Sequence, residues 1–184
     1  MPIQTPICDF GQKALPFELK STDNKIISLN DIKGENGTLI MFICNHCPYV
    51  KAVTKELVED SNELKKIGIN TVAICSNDFI NYPDDSFDNM IKFSKENHFN
   101  FPYLHDETQE IAKAYDAVCT PDFFGYNKDL ELQYRGRLRE LKNFVPVKDG
   151  ESDLLKAMKQ IAETGKGPQD QIPSAGCGIK WKFD

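Results

Sequence analysis

The chain of 184 residues has no apolar stretch that approaches the roughly 18 residues a membrane-spanning helix requires. It has no concentration of positive charge either: 22 Lys and Arg are scattered among 28 Asp and Glu, for a net charge of -6. Phosphate backbones are bound by clustered basic residues, so a nucleic-acid surface is excluded. The opening MPIQTPICDFGQKALPF lacks a basic segment leading into an apolar run and does not read as an export signal. Internal repeats and low-complexity segments are also missing. These absences lead us to expect a cytoplasmic protein with neither membrane nor nucleic acid as partner. The length and a 40% hydrophobic content suit one domain over residues 1–184.

Cysteine is what the chain does have: Cys8, Cys44, Cys47, Cys75, Cys119 and Cys177. In a reducing compartment such residues are buried, catalytic or metal-binding rather than a disulfide framework. Cys75 lies in the apolar run INTVAICSND and reads as core. Cys8 has no evident partner. Cys44 and Cys47 are spaced as CxxC, with His46 between them and Pro48 directly after.

The elements around them alternate. PFELKS and KIISL flank the turn residues TDNK and read as a β-hairpin. GTLIMFIC is a continuous apolar run, as expected of a central strand buried on both faces. From Pro48, the residues Val50, Val53, Leu57, Leu64 and Ile67 recur at helical spacing, and Gly68 stops the helix. INTVAICS is a second buried strand. A polar loop, NDFINYPDD, follows, expected to face solvent or substrate without chemistry of its own. SFDNMIKFSKENH then opens a helix on a serine cap. FPYLHD connects to a second amphipathic helix, ETQEIAKAYD. PDFFGYN and LQYRGR form a hairpin about NKDLE. SDLLKAMKQIAETGKG is a closing helix ending at Gly165. Residues 166–184 are Gly/Pro-rich and read as an irregular tail. The expected fold is therefore α/β: a three-layer α/β/α thioredoxin fold with a central mixed sheet and an N-terminal β-hairpin extension.

On that frame Cys44 falls at a strand-to-helix turn, where free N–H groups and the helix dipole favour an anion. We expect Cys44 to be the attacking thiolate and Cys47, a turn later, to resolve the mixed disulfide. Pro48 fits the first turn, where an amide N–H is dispensable. His46 is expected to tune the pair by stabilising the thiolate. In VCTPDFF, Thr120-Pro121 stands where a thioredoxin fold places a cis-proline facing the CxxC turn, so Thr120 would offer its backbone to a substrate. No organic cofactor is implied beyond the redox-active disulfide itself. Two cysteines with His46 or His105 resemble a Cu or Zn ligand set, but with one CxxC only, no metal is expected.

FICNHCPYVK, VCTPDFF, YRGR and PSAGCGIKWK together resemble the redoxin branch of the thioredoxin superfamily, the alkyl hydroperoxide reductase/thiol-specific antioxidant family. The resemblance spans nearly the whole chain and implies thiol-based redox chemistry. Its name suggests a second reading, a thiol peroxidase with Cys47 peroxidatic and electrons from thioredoxin or glutathione. Matched to a peroxiredoxin, however, Cys44 occupies the position of the activating Thr and Cys119 stands where an Arg is expected. Arg135, Arg137 and Arg139 follow later in the sequence. Ile43 also departs from the Trp usual before a thioredoxin's first Cys. Thiol–disulfide exchange with a protein or small-molecule thiol is thus the leading reading, and Cys119 and Cys177 are candidate auxiliary thiols.

Overall fold

A computed structural model describes residues 2–182. In chain order the elements are β1 (Ile3–Gln4), β2 (Glu18–Ser21), β3 (Ile26–Ser28), α1 (Leu29–Ile32), β4 (Gly37–Phe42), α2 (Pro48–Lys66), β5 (Ile69–Cys75), α3 (Phe87–Glu96) and β6 (Tyr103–His105). They continue as α4 (Glu110–Ala114), β7 (Cys119–Thr120), β8 (Asp122–Asn127), β9 (Leu132–Tyr134), β10 (Leu141–Lys142), β11 (Val145–Pro146), α5 (Asp153–Thr164) and β12 (Ala175–Gly178).

The main sheet runs β3-β2-β6-β5-β4-β8-β9. β4 pairs parallel to β5, and β5 to β6, while β8 joins β4 antiparallel. β4 is buried along its whole length because both faces are covered. Strand alternation divides its side chains: Leu39 and Met41 enter a core shared with α2, α3 and α5, whereas Ile40 and Phe42 enter one built with α1 and α4. Two apolar layers on one sheet make the three-layer α/β/α arrangement.

Local signals place the helices. Pro48 occupies the first turn of α2, where its missing N–H costs nothing, and Gly68 ends the turn beyond it at φ +83°. Ser86 caps α3 by accepting the Asn89 N–H, Ser152 caps α5 through the Leu155 N–H, and Gly165 closes α5 in the left-handed region.

The N-terminal hairpin is present as expected, and its β2 pairs with β6 and so extends the main sheet. Three expectations need correction. FPYLHD supplies that strand, β6, since three residues inserted beside β5 are enough to continue the ladder. The ETQEIAKAYD helix shortens to five residues, bounded by positive φ at Gln109 and Asp116. Residues 166–184 are not wholly irregular: Ala175–Gly178 form β12, paired on one side with β7 and on the other with β1. Its glycines allow an approach that side chains would block; a Cβ on Gly176 would stand 2.1 Å from Thr120 O. The last two residues of that tail lie outside the described ones.

Candidate active site

Both sulfurs of the CxxC pair face one residue. Cys44 Sγ lies 3.4 Å from Thr120 Oγ1, and Cys47 Sγ lies 3.3 Å from Thr120 O. The Thr120–Pro121 peptide is cis, as anticipated, and Ser174 Oγ donates to Pro121 O at 2.8 Å. The pair, Pro48, Thr120 and Pro121 are therefore assembled at one end of β4, where the strand hands over to α2.

The surroundings of the two thiols differ. Cys47, not Cys44, is the cap residue of α2, and it is Cys47 whose thiol is drawn down, to about 4. The main cause is the hydrogen bond from the Cys44 thiol, helped by the Cys177 thiol and by the Val50 and Cys177 N–H groups. Cys44 is held well above the ordinary thiol range by its hydrogen bond to Cys47, by burial and by the charge of Asp85. Neither thiol is open to solvent, with relative exposures of 1% for Cys44 and 0% for Cys47.

Asp85 is the residue that sequence reading missed. It sits in a short 3-10 turn, Pro83–Asp85, inside the loop expected to be solvated, yet its side chain is fully buried. Its Oδ1 accepts the Asn45 N–H at 2.8 Å and its Oδ2 accepts Asn77 Nδ2 at 2.9 Å. His46 Nδ1 approaches Oδ2 to 2.8 Å, without the alignment of a hydrogen bond. Tyr103 donates to Asn45 Oδ1, and Asn45 Nδ2 to Asp84 O, so the residue between the thiols is fixed from two sides. The available signal was a single acidic residue in a polar run, because the donors that bury it come from distant segments.

Cys44, His46 and Asp85 bring a thiol, an imidazole nitrogen and a carboxylate within 4.8 Å of one another, a donor set able to hold a soft or borderline cation. His105 is not part of it; it packs against Phe79 and Phe87.

The auxiliary thiols separate. Cys119 is buried, its thiol donates to Pro121 O, and burial above all holds it protonated. Cys177 is half-buried and pairs with Thr120 across β7 and β12. Thr120's backbone edge, expected to receive a substrate, is thus taken by the chain's own strand. Cys75 is core as anticipated, pushed up to about 12 by burial. The three arginines are committed elsewhere: Arg135 forks onto Asp122, Arg137 reaches Asp153, and Arg139 grips Glu56.

The fold and the paired thiols define a thioredoxin-fold oxidoreductase. The fold is shared with solved structures: the thioredoxin domain of a thiol-disulfide oxidoreductase of Bacteroides vulgatus superposes with a TM-score of 0.58 at 18% identity, over 68% of this chain and 86% of that one. A model of the AhpC/TSA family matches residues 10–140, and the chain belongs to that family. It is similar to peroxiredoxin Bcp of Bacillus subtilis, 26% identical over 163 residues, 84% of this chain and 98% of the relative. An uncharacterized conserved protein of Geobacillus kaustophilus is 44% identical, with a TM-score of 0.93 over 100% of this chain and 98% of that one. Among the described residues no helix is long and apolar enough to cross a membrane.

Proposed function

We propose that the protein is a thiol–disulfide oxidoreductase that cycles Cys44 and Cys47 between dithiol and disulfide. The observation that carries this reading is that both sulfurs of the pair meet one residue, Thr120, directly before the cis-proline. Cys47 is the resting thiolate and attacks a partner disulfide; Cys44 then attacks Cys47 and releases the partner as a thiol. Asp85 opposes a lasting charge on Cys44, which favours closing the disulfide over storing a second thiolate. His46, the more exposed neighbour of Asp85, has a ring nitrogen within 4.8 Å of the Cys44 sulfur and tunes the pair from there. The partners are protein or low-molecular-weight thiols, with thioredoxin or glutathione as the donor class, in a reducing compartment such as the cytoplasm. No step needs a cofactor or metal.

Anaerobic titration against glutathione buffers, with the peptides weighed at each point, tests this: a reversible two-electron disulfide within residues 34–51 is expected, and that internal disulfide is lost in Cys44→Ser and in Cys47→Ser. Stoichiometric copper or zinc in the purified protein, lost in Cys44→Ser, would overturn the assignment in favour of a metal-binding role.

The peroxidase reading is favoured by the Bcp relative and by the lowered Cys47 thiol. Against it stand the arginines, each spent on a carboxylate. A stopped-flow peroxide reaction abolished by Cys47→Ser and retained by Cys44→Ser would decide for it.

A further inference from the structure

The covering of the dithiol poses a problem that the structure itself answers. Cys44 and Cys47 are closed to solvent, and the backbone edge beside them is occupied. The strand that occupies it brings a cysteine. β12 lies antiparallel to β7 with Cys177 opposite Thr120, the residue whose oxygens touch both sulfurs of the pair. Cys177 packs against the same apolar cluster as Cys44 and Cys47. Its position is held from three directions. Ser174 donates to Pro121 O and exchanges hydrogen bonds with Thr5, and β1 pairs along the outer edge of β12. Beyond the strand, Lys180 N–H donates to Asn77 Oδ1, and Lys180 O accepts from the Asp78 N–H. A loose tail would not need this anchoring; a thiol that must meet one sulfur repeatedly does.

We propose that Cys177 is a third redox thiol, which takes the disulfide from the buried pair by bonding to Cys47 and presents it to external thiols. This deepens the exchange reading and rests on it. Starting from the oxidised Cys44–Cys47 pair, the Cys177 sulfur, having lost its proton, attacks Cys47 Sγ. The Cys47–Cys177 bond forms and the Cys44–Cys47 bond breaks, and Cys44 leaves with the bonding electrons and takes up a proton. No net oxidation or reduction occurs in that step. An external dithiol then attacks Cys177 and, through a mixed disulfide, ends as a disulfide itself, leaving Cys47 and Cys177 reduced.

Burial, followed by the hydrogen bond and charge of Cys47, holds the Cys177 thiol up near about 11 in the reduced protein. Once Cys47 is tied up in a disulfide, its part of that restraint disappears. Cys177 is thus restrained while the pair is reduced and released when the pair is oxidised.

The peptides make the test direct. Trypsin leaves Cys44 and Cys47 together in residues 34–51 and Cys177 alone in residues 167–180. The full chain carrying Cys44→Ser is oxidised with diamide, its free thiols are blocked with iodoacetamide, and its peptides are weighed. A cross-link between 34–51 and 167–180 is expected; recovery of both peptides alkylated and uncoupled overturns the proposal. In Cys177→Ser, and in Cys177→Ala as a second variant, residues 34–51 should still close their internal disulfide. Its reduction by dithiothreitol should be slower by roughly tenfold or more, because the buried sulfurs must be attacked directly. Reduction at the wild-type rate in a folded variant overturns the relay and leaves the exchange reading intact. Wild-type protein that never closes residues 34–51 on themselves, yet forms the cross-link, refutes the exchange reading instead. If neither Cys177 variant folds, the Cys44→Ser cross-link decides alone.

Discussion

Asp60 gives the protein a pH-dependent weakness that one substitution should remove. The residue lies on α2, buried against α5, and its Oδ2 accepts the Ser152 hydroxyl at 2.6 Å. Burial raises its carboxyl from 3.8 to about 6, with Glu56 adding to the rise and the Ser152 bond and Arg139 opposing it. A carboxyl that is raised on folding contributes stability below about 4, where both states are protonated on that site. The contribution is lost as pH climbs to about 6, because the unfolded chain ionises first. A rise of that size corresponds to at most about 3 kcal/mol, and solvent at the carboxyl edge reduces it to about 2 kcal/mol. Asn in its place keeps an acceptor for Ser152 and carries no charge. Asp60→Asn should therefore match the wild type near pH 4 and exceed it by about 2 kcal/mol above pH 7, or about 4–8 °C in Tm. Urea unfolding across that range, followed by circular dichroism, measures the difference. A gain that is the same at every pH, or a loss above pH 7, would refute the assignment of the strain to a buried charge.

Other expectations follow from the same geometry. Gly176→Ala forces a Cβ against the Thr120 carbonyl; it should lift β12 and speed iodoacetamide labelling of Cys47, and unchanged labelling would deny that β12 is the cover. Asp85→Asn should move the Cys44 alkylation profile to lower pH, since Asp85 helps hold that thiol protonated. It should also cost about 1–3 kcal/mol in urea unfolding, because the Asn side chain turns an N–H group toward former donors. Arg135→Met leaves the fully buried Asp122 without its partner, and a loss of about 3–5 kcal/mol is expected by thermal unfolding. A loss under about 1 kcal/mol would mean that the pair is not the anchor of the Val118–Asp122 segment it borders.

Much of the fold was legible because its signals are local. Pro48, Gly68, Ser86, Ser152 and Gly165 mark helix ends through their own backbone chemistry, and the apolar run ahead of Cys44 can only be a strand buried on both faces. α1 went unread: its capping box, Ser28 with Asp31, overlaps the end of KIISL, read there as strand, and the helix spans only four residues. The site was half legible. Cys44, Cys47, Thr120 and Pro121 announced themselves by motif, but which sulfur holds the proton depends on where α2 begins and on contacts from Thr120, Asp85 and Cys177. Asp85 reads as surface until Asn45 and Asn77, from other parts of the chain, close over it. β12 has no alternation to read; AGCG becomes a strand only because glycine lets it slide between β1 and β7.

That sliding fit has a consequence for the order in which the molecule is made. The pairing of residues 3–4 with 175–176 joins the most distant parts of the described chain, and such contacts close late in folding. On a growing polypeptide, the CxxC turn and its proline emerge long before the strand that shields them. A nascent chain thus displays a bare dithiol beside an unpaired β-edge, open to capture by passing disulfides, until residues 174–178 arrive. Arrival of β12, rather than formation of the central sheet, is the event that turns an indiscriminate thiol into a guarded one.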